Sequence, residues 1–225
     1  MVDQFTLPPK VWVLAPFIES QDANIDYYYD FSQSIEEYTS VFEALNMEWI
    51  WQPVSMKNME SVIESIALQK SNHVPLVLNL CDGDEVNGTP GITIIHLLEK
   101  YELIYTGADA FFYNITTSKI PMKKAFDEYG IPTAPWYAIH QADENPAAIL
   151  SKTGVPVIVK PAVSGGSMGV GIRNVVEKEA EITALLQELF AGYRGWNLHA
   201  DGLIAERFVE GPEFTVFLTG VHDKP

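Results

Sequence analysis

Cysteine and basic residues are scarce in this sequence, and long apolar runs are missing. Cys81 is the single cysteine among 225 residues. It cannot form an internal disulfide, and no neighbour in sequence supplies the base or metal partner of a catalytic thiol, so it is expected to be buried filler. Lysine and arginine number 14 against 30 aspartates and glutamates, a formal charge of −16. Such a surface repels polyanions, which argues against nucleic acid as a partner and requires any polyphosphate site to be locally basic. No run approaches membrane-spanning length, and Met1 to Lys10 carries Asp3 and two prolines where a signal peptide needs a basic start and an apolar stretch. No membrane partner and a cytoplasmic location are therefore expected. His73, His96, His140, His199 and His222 show no i, i+2 or i, i+4 pairing, so a histidine metal site is not expected.

What remains is an ordinary globular composition, 47% hydrophobic and 20% charged. Short apolar runs alternate with helical spacing. Val11 to Phe17 reads as a strand, Ile35, Tyr38, Val41, Phe42 and Leu45 as a helix face, and Trp49 to Trp51 as a second strand. The pattern continues with a helix on Met59, Val62, Ile63 and Ile66, the strand Val74 to Leu80, a helix on Ile92, Ile95 and Leu98, and the short strand Leu103 to Tyr105. Strands separated by helices imply a mainly parallel sheet covered on both faces. Beyond Gly107 the pace changes. Thr117-Ser118 offers an N-cap for a helix burying Met122, Ala125, Phe126 and Tyr129, and Gly130 and Pro132 close it. Then come the strand Trp136 to Ile139, a helix from Pro146 to Gly154, the strand Val155 to Lys160, a glycine loop, a strand Gly171 to Val175, and a helix on Ile182, Leu185, Leu186 and Leu189. Leu203 to Val209 and Glu213 to Thr219 are expected strands joined by the turn Glu210-Gly211-Pro212.

Two segments carry chemistry. A strand ending in Lys160-Pro161 runs into Ser164-Gly165-Gly166-Ser167-Met168-Gly169-Val170-Gly171, so an ammonium and unhindered backbone N–H groups can converge on the same phosphate oxygens. Taken alone, the loop reads equally well as a glycine-rich hairpin with an exposed lysine. It contains neither a P-loop nor a dinucleotide-binding glycine pattern. In the second segment, Leu203 to Val216, strand alternation places Glu206 and Phe208 on one face and Arg207 and Val209 on the other. A carboxylate and a ring on one wall suit an adenine, and Glu213 beyond the turn can accept from ribose hydroxyls; the plain alternative is a hairpin with solvated acids.

In order, Tyr105-Thr106-Gly107, Thr117-Ser118-Lys119, Val159-Lys160-Pro161 with its glycine loop, and Glu206-Arg207-Phe208-Val209 with Gly211, Glu213 and Phe214 resemble the D-alanine–D-alanine ligase family of ATP-grasp enzymes over about residues 79–216. The resemblance implies an α/β ATP-grasp fold: an N-terminal mainly parallel α/β domain (1–112), a central α+β nucleotide-binding domain (113–209), and the start of a C-terminal ATP-grasp domain (210–225) that is largely missing. It implies an ATP-dependent ligase that joins a carboxylate and an amine, among them amino acids, through an acyl phosphate. Lys119 and Lys160 would hold ATP phosphates, and Gly165, Gly166, Ser167, Met168 and Gly169 would close over them. Glu206 with the backbone of Arg207 and Val209 would read the adenine, Phe208 would belong to the same nucleotide site, and Glu213 would hold the ribose. Lys160, Gly166 and Ser167 are the expected catalytic residues.

Two departures bear on the substrate. The family's loop usually reads Glu-Gly-Ser-Ser-x-Gly, whereas Ser164 to Gly169 lacks the carboxylate; and Val13 to Ser20 lacks the family's glycine-rich, Ser-Glu-containing entry, with Glu19 the only local acid. D-alanine is therefore not the expected substrate. Asn79-Leu80-Cys81-Asp82-Gly83 falls at the strand end that faces substrate in such sheets. Tyr27, Tyr28, Tyr29 and Asp30 read either as an aromatic contact surface or as a packed helix entry, and Trp136 and Trp196 as core. No metal ligands are expected within these residues, because the family's Mg²⁺ ligands follow the strand matching Glu213 to Thr219. The chain is accordingly expected to be a piece of a longer ligase, with an open strand edge that allows a homodimer. A non-catalytic nucleotide-binding module, or an ATP-grasp ligase acting on substrates other than amino acids, is the alternative.

Overall fold

The computed structural model describes residues 7–216, apart from the side chain of Tyr27. Its first half holds β1 (Pro9–Pro16), α1 (Ile25–Tyr29), α2 (Ser32–Ala44), β2 (Glu48–Val54), α3 (Met59–Leu68), β3 (Val74–Asn79), α4 (Ile92–Lys100) and β4 (Ile104–Tyr105). The strands form one parallel sheet in the order β2-β1-β3-β4. β1 lies at its centre and is apolar on both faces, as a strand covered on both sides must be. Trp12 and Leu14 pack with Ile63, Ile66, Ile94 and Leu98 from α3 and α4. Val11 and Val13 pack on the opposite side with Phe42 of α2, Trp49 and Trp51.

The second half holds α5 (Ala110–Thr116), α6 (Lys119–Glu128), β5 (Trp136–Ile139), α7 (Pro146–Thr153), β6 (Val157–Pro161), β7 (Val175–Val176), α8 (Glu179–Phe190) and β8 (Leu203–Arg207). These strands make an antiparallel sheet in the order β5-β8-β6-β7. Its helix-covered face joins Ile139, Val157, Val159, Leu203 and Ala205 to Ile149 of α7 and to Ile182, Leu185, Leu186 and Leu189 of α8. With a side-chain period of two, Ile158, Lys160, Ile204 and Glu206 must then point to the other face. Register pairs Ile158 with Glu206 and Lys160 with Ile204, which makes Lys160 and Glu206 diagonal neighbours on that face.

Four expectations need correction. Gly171 to Val175 is not a strand: Ile172–Asn174 forms a 3₁₀ turn before the short β7. The strand expected over Leu203 to Val209 ends at Arg207. Glu213 to Val216 has no regular structure, so no hairpin partner to β8 forms there; residues 217–219 of that expected strand, and His222 to Pro225, lie outside the described residues. Finally, α6 buries Ile120 and Lys123, whereas Tyr129 is 77% exposed. Met122, Ala125 and Phe126 of the expected face are half-buried, while Tyr129 falls just past the helix end, and the most buried positions include a lysine that apolar spacing does not mark. The two short helices α1 and α5 carry no clear period and were not expected.

Candidate nucleotide and substrate site

The polar face of the second sheet carries a concentrated charge cluster. Glu206 is buried, with its two carboxylate oxygens taken by different lysines: Lys123 Nζ on Oε1 at 2.5 Å, and Lys160 Nζ on Oε2. Lys123 also donates to the Thr133 hydroxyl. Burial alone would raise the Glu206 carboxyl, but the hydrogen bonds and charges of Lys123 and Lys160 outweigh it and hold the group below its usual value. Lys119, the first residue of α6, is placed by the Ser118 N-cap, whose hydroxyl accepts from Ile120 N at 3.4 Å. Its backbone N–H and its Nζ both reach Ala162 O, at 2.9 and 3.3 Å, tying the helix start to the strand-to-loop junction. Burial depresses the Lys119 ammonium, the Lys160 charge depresses it further, and Glu206 opposes both. Three ammonium groups thus face one carboxylate, a local excess of positive charge in a chain of formal charge −16.

The glycine loop follows directly from this cluster. Gly166, Ser167 and Gly169 have φ of +54°, +60° and +72°, a left-handed path that glycine adopts without strain. Met168 is buried against Trp196 and Leu198 and anchors the loop by packing. Asn174 fixes its far end. This fully buried side chain donates from Nδ2 to Val159 O (2.8 Å) and Gly169 O (3.0 Å), and its Oδ1 accepts from Gly171 N (2.8 Å). One amide therefore binds β6, the end of the loop and the 3₁₀ turn together.

The loop also walls a cavity of about 510 Å³. It is lined by Ser164, Gly165, Gly166 and Met168 of the loop, by Asn79 at the end of β3 with Asp82 and Asp84 after it, and by the aromatic residues Tyr28, Tyr29, Phe31, Tyr38 and Trp196. Asn79 is held by Thr106, whose hydroxyl accepts from Asn79 N at 3.1 Å. The two halves of the chain meet through Asn87 and Asn197: Asn87 Nδ2 donates to Asn197 O (3.1 Å) and Asn197 N to Asn87 Oδ1 (2.7 Å). Trp196 Nε1 donates to Asp22 at 2.8 Å, and the ring stacks on Tyr29 at 6.5 Å between centroids. The loop after Asp82 tolerates no side chain at Gly91, where a Cβ would fall on the Gly83 carbonyl oxygen.

Residues 125–224 match the family model described as D-ala D-ala ligase C-terminus. D-alanine–D-alanine ligase from Bacillus anthracis, also solved in complex with ATP, superposes with a TM-score of 0.62 at 19% identity, over 90% of this chain and 58% of that one. D-alanyl-alanine synthetase A from Vibrio cholerae gives 0.59 at 17% identity, over 92% of this chain and 61% of the other. N5-carboxyaminoimidazole ribonucleotide synthetase from Thermus thermophilus gives 0.53 at 18% identity, over 89% and 47%. The chain has the ATP-grasp ligase fold. It spans about three fifths of the length of the D-alanine–D-alanine ligase from Bacillus anthracis.

Within this ATP-grasp frame, Lys119, Lys160 and Glu206 come together where β6 runs into the loop, and of the loop residues Gly165, Gly166 and Met168 line the cavity. Arg207 lies on the opposite face, its guanidinium against Gly154, and its N–H is taken by Pro135 O at 2.9 Å. Phe208 is half-buried with its N–H on Pro156 O, while Val209 and Glu213 are exposed. Glu19 lies away from the cavity and forms an exposed ion pair with Lys57 at 2.7 Å. Cys81 is buried, and burial first, then the Asp82 charge, pushes its thiol up to about 12. Lys123, Asn174 and the Asn87–Asn197 pair were not anticipated. Lys123 stands one helical turn after Lys119, and that spacing was the one available signal.

Proposed function

We propose that this chain forms the nucleotide-binding and substrate-facing part of an ATP-dependent carboxylate–amine ligase. The observation that carries this reading is the cluster of Lys119, Lys123 and Lys160 around Glu206, next to a glycine loop whose backbone turns through left-handed conformations. Positive charge and unhindered N–H groups at one place suit a polyphosphate. Bound ATP would supply the phosphoryl group that converts a carboxylate to an acyl phosphate, open to attack by an amine.

The residues divide that work between them. Lys119, anchored at the loop junction, and Lys160, 25% exposed at its side chain, would hold phosphate oxygens, while Lys123, 8% exposed, stays on Glu206 and keeps it charged as Lys160 turns outward. Gly166 and Ser167 would bring the loop backbone against the transferring group. Asn174 keeps that loop in register, and Glu206 and Phe208, with the backbone of Arg207 and Val209, and Glu213 would border the base and ribose. Among the described residues no three His, Cys, Asp or Glu side chains are grouped to hold a metal ion. Among the same residues no helix is long and apolar enough to cross a membrane.

The test is ADP release from Mg-ATP across a panel of carboxylates and amines, with nucleotide affinity measured alongside. Release stimulated by a carboxylate–amine pair supports the ligase; tight nucleotide binding with turnover that no pair stimulates would leave only a nucleotide-binding module.

A further inference from the structure

The cavity that the loop walls has its own chemistry. Among the described residues that line it there is no Lys, Arg or His, whereas Asp82 and Asp84 both reach it. Asp84 is committed to the fold: its carboxylate accepts from Val86 N (3.1 Å), Asn87 N (3.4 Å) and the Thr89 hydroxyl (3.0 Å). Asp82 is different. It is open to the cavity, and among the described residues its own backbone N–H is the one group that stabilises its charge. The protein mass around it raises the carboxyl above its usual value, which leaves a carboxylate poorly compensated by the protein. Tyr29 shares this space. Its hydroxyl is raised to about 12, by burial first and then by the charges of Asp82 and Asp84.

We propose that this cavity takes an ammonium-bearing substrate, with Asp82 as counter-ion and the rings of Tyr28, Tyr29 and Trp196 around an apolar body larger than alanine. The claim deepens the ligase reading and rests on it for the substrate's place in the reaction. Three physical features favour a cation there. A carboxylate that faces a cavity whose described lining holds no cation gains most from an ammonium. Ring faces attract the same charge. A free carboxylate entering first would meet Asp82 and no lining cation. The space of about 510 Å³ falls within the range of about 300–1,000 Å³ that holds ligands of many heavy atoms, so a methyl side chain would leave most of it unfilled.

Phenethylamine, 3-phenylpropionate and 2-phenylethanol are the probes, titrated by calorimetry at neutral pH into wild type and Asp82→Asn, with ATP titrated into wild type in parallel. Phenethylamine is expected to bind wild type at least about tenfold more tightly than either analogue, and Asp82→Asn, checked for folding by circular dichroism, to lose that preference. Phenylpropionate binding as well as phenethylamine, no phenethylamine binding, or a preference that survives in folded Asp82→Asn would each overturn the proposal. Should Asn at this position prevent folding, the wild-type comparison of amine and carboxylate still decides it. Amine selectivity through Asp82 without ATP binding would uphold this inference while removing the ligase reading.

Discussion

Where β6 runs into the glycine loop three lysines crowd around one carboxylate, whereas in the cavity that the loop walls two aspartates stand among aromatic rings. The two groups also come from different halves of the fold. The basic side sits on the polar face of an antiparallel sheet, where diagonal neighbours on β6 and β8 meet α6. The acidic side forms at the ends of parallel strands, where loops converge. A strongly acidic chain can thus present opposite charges at two groups of residues, so that a polyphosphate and an organic cation are drawn to separate places. The basic side was fixed by burial and register, and breaking it should cost stability as well as binding.

The largest effect is expected at Glu206. Glu206→Leu leaves Lys123 buried without its counter-charge and should lose about 3–5 kcal/mol, measured by urea unfolding. Pairing it with Lys123→Met replaces the buried ions by apolar groups and should recover most of that loss. The pH dependence has a definite sign. The folded Glu206 carboxyl lies below its ordinary value, so its contribution is present above the unfolded value and lost as pH falls through the folded one. The stability gap between wild type and Glu206→Gln should therefore close on acidification below the usual carboxylate range. A gap that stays constant into acid would break the assignment of a charged Glu206.

Lys160 comes next. It is more exposed than Lys123 and nearer the loop, so Lys160→Ala should act on nucleotide more than on folding. Losing a charge-assisted phosphate contact of about 1.5–3 kcal/mol weakens binding by about one to two orders of magnitude. Calorimetric titration of ATP into the folded variant checks this, and unchanged affinity would remove Lys160 from the phosphate site.

What the sequence made legible follows the same divide. The parallel sheet could be read because its strands are covered on both faces and its helices keep an apolar period, as in Val11 to Leu14 and Ile63 and Ile66. Lys119, Lys160 and the glycine loop were legible as motifs. Lys123 was not, because a lysine on a helix is normally a solvent residue, and only the packing of α6 on the sheet's polar face turns it inward. Asn174 was missed for a related reason. Its three hydrogen bonds depend on a 3₁₀ turn where alternation suggested a strand.

That turn provides a third prediction. Asn174→Ala strips partners from Val159 O, Gly169 O and Gly171 N at a site with no exposure, and should cost about 1–3 kcal/mol. Its particular signature would be faster amide exchange through residues 165–171, with the Glu206 cluster unchanged. If protection were lost equally in both places, Asn174 would be serving the whole sheet and not the loop.

The smallest effect compares neighbouring glycines within the loop itself. Gly165 lies outside the left-handed region, and a Cβ there would meet nothing within 4 Å. Gly166 has φ +54°, and its Cβ would stand 3.4 Å from Tyr28 Cδ1, an ordinary contact, so the cost of a side chain comes from the backbone and not from a clash. A left-handed residue other than glycine costs about 1–2 kcal/mol. Gly166→Ala should therefore lower stability by about 1 kcal/mol, while Gly165→Ala stays within about 0.5 kcal/mol of wild type. Nucleotide titration adds the functional half. Gly166→Ala should weaken ATP binding beyond its stability loss if the loop must keep this path to bring N–H groups against phosphate. Equal stability and equal affinity in the two variants would mean that the loop rearranges freely, and that its left-handed path is not required.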